Sequence, residues 1–191
     1  MRNLICLLVA ISMLFIITPE KLYGSAVASQ YEVEYEYLTP IDNDRNITTS
    51  SLNIFKKISD EKNSLSSYSG ITITRPRGEI SFDGETSDSS SFGIGPVYLI
   101  RYEPFKFGKA SVSLDMSGGF ILYNEKFPAG GRVYNFMWRI GPQFIYKIGE
   151  NSSLNIGYKL MHVSNGSSIF GKGHNPAYNA RGFSFGILTH F

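Results

Sequence analysis

The chain has 191 residues, of which 42% are hydrophobic, 14% aromatic and 18% charged, with 19 glycines and one cysteine. Its 18 basic and 16 acidic residues nearly cancel, so bulk charge gives no reason to expect nucleic acid as a partner. The charged fraction is below the roughly 25% of an ordinary soluble domain, and abundant aromatic residues and glycine are typical of β-rich chains and membrane barrels. A length of this order fits one domain.

The first 28 residues have the pattern of a secretory signal peptide. Arg2 precedes a predominantly apolar run over 4–17, and a polar stretch then ends in small residues at Ala28. This order predicts a signal peptide at 1–28 and a mature domain at 29–191. The alternative is an N-terminal anchor, which needs about 20 apolar residues. Cys6 lies in the predicted signal peptide, so the mature protein is expected to have no thiol.

After the predicted signal peptide, apolar and polar residues alternate with a period of two, most clearly over 134–148. Even positions there are apolar or aromatic, and odd positions are mostly polar. The same alternation recurs over 92–103 and 110–122, whereas helical spacing does not extend beyond about 12 residues anywhere after residue 28. We predict eight β-strands, at 31–38, 50–58, 67–75, 91–103, 110–123, 133–148, 153–164 and 182–191.

Two architectures bury one face of each strand. A soluble sandwich or lipocalin-like barrel hides the apolar face inside, and an outer-membrane barrel turns it towards lipid. The strands at 110–123 and 133–148 are long enough to cross a bilayer. The polar face, with Arg139 and Asp115, suits a narrow lumen better than a soluble core. We therefore predict an all-β fold, an eight-stranded antiparallel transmembrane barrel of the bacterial outer membrane, too small for a diffusion pore.

The final strand places Phe183, Phe185 and Ile187 outward, and the sequence stops at Phe191. A terminal aromatic residue on such a strand resembles the recognition signal of outer-membrane barrels. This resemblance implies the barrel assembly machinery as a partner.

The row of outward apolar side chains is interrupted on the strand at 153–164. His162 and Ser164 continue that row, where a titratable group and a hydroxyl are costly unless they serve a purpose. Two residues of a strand on one face lie about 6.6 Å apart along the backbone, twice the strand rise. His162 is therefore a candidate base for activating Ser164. The competing interpretation is a polar pair that marks the end of the hydrophobic band.

Loop lengths indicate which leaflet these residues meet. The turn at 149–151 is short and the connection at 165–181 is long. Short turns of such barrels lie in the periplasm and long loops lie outside. His162 and Ser164 are thus expected at the outer-leaflet end, and an outer-leaflet lipid is the expected substrate.

The segment from His162 to Gly166, followed by Asn175-Pro176 and an aromatic final strand, resembles the lipid A 3-O-deacylases. These are eight-stranded outer-membrane barrels that remove an ester-linked acyl chain from lipopolysaccharide. The specific match covers about 30 residues, from Tyr158 to Phe191. The resemblance implies a serine esterase acting on lipid A without a metal or other cofactor.

The resemblance also implies roles for individual residues. Ser164 would be the nucleophile, His162 the general base, and Asn165 a donor to the oxyanion. The family has a Glu that orients the histidine, and Asn179 stands at the aligned position. An amide fixes the imidazole tautomer but cannot offset the charge of an imidazolium. Another carboxylate is therefore a possible substitute, and the candidates are Glu79, Asp83, Glu85 and Asp88.

Asn179 leaves a second function open, a barrel with little or no catalytic activity that has a structural or lipid-binding role. His174 is expected to be a solvated loop residue, and Tyr178 a packing residue or an interfacial contact. Clusters with metal-ligand spacing and a phosphate-binding glycine loop are not found in the sequence. The sequence leaves a homodimer open.

Overall fold

The computed structural model describes residues 29–62, 64–82, 84–166 and 176–190. The predicted signal peptide and Phe191 lie outside the described residues. The described chain forms nine strands: β1 (Gln30–Pro40), β2 (Arg45–Lys62), β3 (Leu65–Phe82), β4 (Glu85–Asp88), β5 (Gly93–Phe107), β6 (Ala110–Phe127), β7 (Arg132–Lys147), β8 (Ser152–Ser164) and β9 (Tyr178–His190).

Eight of these strands close into an antiparallel barrel. Each long strand pairs with its neighbour in the chain, and β1 pairs with β9 from Gln30↔His190 to Pro40↔Ala180. The pairing of β2 with β3 completes the circle. The short β4 pairs only with the end of β3. Closure removes free sheet edges, which is what allows strands to lie in hydrocarbon. Among the described residues, no helix is long and apolar enough to cross a bilayer.

All eight predicted strands are present, and several are longer than predicted. β2 and β3 each have 18 residues, and β9 begins at Tyr178 instead of residue 182. The hydrophobic alternation reports only the part of a strand that faces lipid. Backbone pairing continues beyond it into polar sequence, where no alternation marks the strand.

The outer surface carries the apolar side chains. Alternate residues of β5 to β9 are exposed, and they include most of the large hydrophobic residues predicted to face outward. The lipid-facing orientation of the alternating rows is thereby confirmed. β1 follows the same rule, with Tyr35 and Tyr37 exposed and Glu34 and Glu36 buried.

The interior is filled by charged and polar side chains held in pairs. Arg101 is 1% exposed. It donates two hydrogen bonds to Glu32, at 2.9 and 3.0 Å, and two to Asp115, at 2.9 and 2.8 Å. Lys159 lies 3.3 Å from Asp115 and 3.4 Å from Glu34. These contacts join β1, β5, β6 and β8 across the interior. Buried charges require such partners.

An apolar layer closes the barrel interior near the end of β8. Phe127 packs on Tyr123, with ring centroids 4.5 Å apart, and on Tyr178, at 5.6 Å. The buried Tyr178 also shares a hydrogen bond of 3.1 Å with the Thr49 hydroxyl. Tyr178 is therefore a packing residue, the first of the two roles expected for it.

The two ends of the barrel differ. The connections at 63–64, 108–109 and 148–151 are short and lie at the end where β1 starts and β9 finishes. The other end has the two longest connections, 83–92, which contains β4, and 165–177. Because short turns lie on the periplasmic side, the end of β8 that carries His162 is the external end.

Candidate active site

His162 and Ser164 lie on the outward face at the external end of β8. The exposed row of this strand runs through Leu154, Ile156, Tyr158 and Leu160, and both polar residues continue it in half-buried positions. Their inward neighbours Met161 and Val163 are 2% and 1% exposed. The two side chains therefore meet the lipid side of the wall and not the barrel interior.

Asn179 lies directly opposite His162. The two residues are partners in the pairing of β8 with β9, and His162 Nδ1 lies 2.8 Å from Asn179 Oδ1. The sequence predicts a loop at this position, but Asn179 is the second residue of β9. A strand position is more rigid than a loop, because the backbone ladder fixes where the amide points.

Trp138 of β7 stacks on the imidazole of His162. It is the partner of His162 in the pairing of β7 with β8. The two rings stack with centroids 5.7 Å apart and an angle of 27° between their planes. The stack and the hydrogen bond together fix both the plane and the rotation of the imidazole.

Asn179 is itself hydrogen-bonded to a carboxylate. Asn179 Nδ2 donates a hydrogen bond of 3.0 Å to Asp42 Oδ2. Asp42 is in the connection at 41–44 between β1 and β2, and the backbone N–H of Ile41 donates to the Asn179 carbonyl at 3.1 Å. Sequence reasoning missed Asp42, since 137 positions separate it from Asn179 and no motif marks it. The one sequence feature that points to Asp42 is its position just after β1, because closure of the barrel requires β1 to pair with β9.

The carboxylates suggested from the sequence lie elsewhere. Glu79 is in β3, and Glu85 and Asp88 are in β4. Three strands separate β3 from β8 in one direction round the barrel and three in the other, so these groups are on the opposite wall. Asp83 lies outside the described residues. Asp42, and none of the three described candidates, is the carboxylate that contacts Asn179.

The remaining site residues follow one another at the end of β8. In the described part of the chain, the Ser164 hydroxyl makes no hydrogen bond to the His162 ring, although both are on one face. Asn165 is 1% exposed, and Gly166 has a φ of 66°, the left-handed conformation in which the chain leaves the strand. The predicted loop residue His174 lies outside the described residues.

His162, Asn179 and Asp42 form a chain of hydrogen-bonding groups that starts at the lipid side of the wall. This is the arrangement of a base whose ring is held by a second group through Nδ1, while Ser164 lies two residues further along the same face of β8. Within residues 29–190 as far as they are described, no three His, Cys, Asp or Glu residues are grouped to hold a metal ion.

A closed eight-stranded barrel with an apolar outer surface defines an integral protein of the bacterial outer membrane. The family model "Lipid A 3-O-deacylase (PagL)" matches residues 30–187. The chain therefore belongs to the PagL lipid A 3-O-deacylase family, and the resemblance seen in the last strands extends over nearly the whole barrel.

The crystal structure of the outer-membrane enzyme PagL superimposes on this chain with a TM-score of 0.55 at 15% identity, covering 83% of this chain and 98% of that one. At this identity the likeness confirms the fold alone. A loop-deletion mutant of OmpT, an outer-membrane protein of Vibrio cholerae, matches with a TM-score of 0.34 at 12% identity, over 88% of this chain and 61% of that one. A search of curated protein sequences found no significant match.

Proposed function

We propose that the protein is a serine esterase that removes the 3-O-linked acyl chain of lipid A in the outer leaflet. The observation that carries the proposal is the hydrogen bond of 2.8 Å that holds His162 to Asn179 on the lipid side of the external rim. Membership of the lipid A 3-O-deacylase family supports the substrate class. An ester just below the lipid A sugars would lie at the depth of this rim.

In the proposed mechanism, Ser164 Oγ attacks the carbonyl carbon of the ester and its proton passes to His162 Nε2. Nδ1 is engaged by Asn179, so Nε2 is the nitrogen that remains for this step. Because the Asn165 side chain is buried, its backbone N–H would be the donor to the oxyanion of the tetrahedral intermediate, and one such donor contributes about 10²–10³ in rate.

Collapse of the intermediate would break the bond to the sugar oxygen, which takes the proton from His162. The acyl chain is then on Ser164. A water molecule, deprotonated by His162, would hydrolyse this acyl-enzyme and release a free fatty acid. Both half-reactions balance without a metal or redox cofactor.

Replacing Ser164 by Ala tests the proposal. The variant is expected to lose activity by on the order of 10⁶-fold, the loss found when a serine nucleophile is removed. The measurement is the mass spectrum of lipid A from cells that express the protein, where the wild type should yield species lacking one acyl chain. Ser152→Ala is the matched control, since Ser152 is half-buried at the other end of the same strand.

The control should deacylate lipid A like the wild type. If the wild type and Ser164→Ala give the same acylation pattern with several types of lipid A, the esterase proposal is rejected. The alternative, a barrel with a structural or lipid-binding role and little or no activity, would then be favoured.

A further inference from the structure

We propose that Asp42 is the carboxylate that orients the base of this site, and that it acts through Asn179. As a positioning residue, it holds the Asn179 amide with its oxygen towards His162. This in turn keeps the imidazole protonated on Nδ1 and leaves Nε2 free. The effect on rate rests on the proposed esterase function, whereas the effect on the imidazole tautomer does not.

Hydrogen-bond chemistry fixes the direction of the chain of contacts. A carboxylate accepts hydrogen bonds and does not donate them, so the Asn179 group that contacts Asp42 at 3.0 Å must be the NH₂. The amide oxygen then faces His162 Nδ1 at 2.8 Å, and an oxygen can only accept. The imidazole must therefore donate from Nδ1, which makes Nε2 the acceptor for the serine proton.

The opposite orientation of the amide would disable the site. It would bring the amide oxygen against the Asp42 carboxylate, and it would point the NH₂ at Nδ1. The ring would then have to carry its hydrogen on Nε2, the atom that is needed as a base. Asp42 excludes this state because two acceptors in contact repel each other.

The backbone holds Asp42 in place. The Ile41 N–H donates to the Asn179 carbonyl at 3.1 Å, so the residue after Ile41 is tied to the same point of β9. Asp44 lies two positions further on, and it pairs instead with Arg45 at 2.8 Å. Its side chain is 55% exposed, which makes Asp44 a matched carboxylate for comparison.

Asp42 also supplies the negative charge that is missing at residue 179, where this chain has an amide. An amide next to the imidazole does not offset the charge that develops on the ring. Asp42 supplies a negative charge one hydrogen bond further away, and in a half-buried site this charge is less screened than it would be in water. Asp42, in the connection between β1 and β2, thus acts on His162 of β8 through Asn179 of β9.

The first experiment measures kcat and KM for lipid A deacylation by the full mature protein. Asp42→Asn should lower kcat by at least about 10-fold, towards the about 10⁴-fold loss caused by the wrong tautomer in a serine–histidine–aspartate triad. KM should change little, and Asp44→Asn should stay within about twofold of the wild type. Equal effects of the two substitutions in properly folded protein would overturn the proposal.

A rescue experiment separates this role from support of the loop. In Asp42→Asn/Asn179→Glu, a carboxylate contacts the imidazole directly, so activity should recover at least about 10-fold relative to Asp42→Asn. Asn179→Glu alone places two carboxylates together and should be less active than the double variant. A double variant as poor as Asp42→Asn would contradict action through residue 179.

The tautomer is observable without any turnover. The sequence contains three histidines, so ¹⁵N-histidine labelling in detergent micelles gives few signals, and a His162→Gln variant assigns the one of interest. Two-bond ¹H–¹⁵N couplings of the neutral ring should show Nδ1–H in the wild type and in Asp44→Asn, and a mixture of tautomers in Asp42→Asn.

Nε2–H in the wild type, or an unchanged tautomer in Asp42→Asn, would overturn the proposal. If the wild type shows Nδ1–H that depends on Asp42 but does not act on lipid A, the proposed function fails and the positioning role of Asp42 remains. The two failures are therefore distinguishable.

Discussion

The imidazole of His162 is held by side chains from the strands on either side. Trp138 of β7 stacks on it, and Asn179 of β9 bonds to it. All three residues lie on one row across the wall, since Trp138 pairs with His162 and His162 with Asn179. In the proposed mechanism, a base held in this way on a rigid wall would need little rearrangement when a lipid approaches from the side.

We expect Trp138→Leu to weaken the positioning of the ring. An aromatic pair contributes about 0.5–1.5 kcal/mol beyond burial, which corresponds to a loss in kcat of about 2- to 12-fold. Trp138→Phe should keep most of the activity. Phe144→Leu is the control, since Phe144 is exposed on the same face of β7 and pairs with Ile156, away from His162. The measurement is the rate of lipid A deacylation, and a loss in the control equal to that in Trp138→Leu would contradict the stack.

Single residues differ in how far the sequence predicts them. His162 and Ser164 stand out because they interrupt an apolar row of known period. Asn179 is predicted only through the family resemblance. Asp42 is not predicted, because its role depends on a contact between the first loop and the last strand, and no local pattern encodes that contact.

At the level of strands, the pairing of β8 with β9 builds the site. The register Met161↔Ala180, His162↔Asn179 and Val163↔Tyr178 puts the amide opposite the ring. A shift by one residue would turn Asn179 to the interior. The register of β8 is also fixed from the other side by β7, whose backbone approaches β8 closely at Gly141. A Cβ built there lies 1.8 Å from the Tyr158 carbonyl oxygen.

Gly141→Ala is therefore expected to push β7 away from β8. Overpacking of this kind costs about 1–3 kcal/mol, and the shift should also lower deacylation, because Tyr158 is on the strand that carries His162. Gly149→Ala in the turn of the same hairpin is the control, as a Cβ at Gly149 meets nothing within 4 Å. The free energy of unfolding in urea, measured in micelles, checks the prediction. Equal stability of the two variants would show that the close approach is relieved without cost.

The stability of the barrel depends on pairing the charged side chains in its interior, which an apolar outer surface surrounds. The buried interior residues include four carboxylates, Glu32, Glu34, Glu36 and Asp115, and three cations, Arg101, Arg139 and Lys159. In a closed barrel these groups have no access to bulk water along most of its length, so each must find partners across the lumen. The resulting contacts connect strands that are not neighbours in the sheet, for example Arg101 of β5 with Glu32 of β1.

Arg101→Met should destabilise the barrel as a whole. Removing the guanidinium leaves Glu32 and Asp115 buried without their main partner, and loss of one member of a buried ion pair costs about 3–5 kcal/mol. The expected result is a lower midpoint of the cooperative unfolding transition in urea. Arg77→Met, at an exposed position of β3, should change the free energy of unfolding by less than about 0.5 kcal/mol. A similar small change for Arg101→Met would mean that the interior network does not stabilise the fold.

The sequence by itself determined the barrel, its outer-membrane location and the face on which His162 and Ser164 lie, because side-chain alternation follows directly from strand geometry and the two solvents differ strongly in polarity. It did not determine where strands continue beyond the membrane, since backbone pairing there leaves no hydrophobic pattern. Only the tertiary structure decided that Trp138 stacks on His162 and that Asp42 supports Asn179. Closure of the barrel brings residue 179 and residue 42 together, and the register that does so is a property of the whole circle of strands.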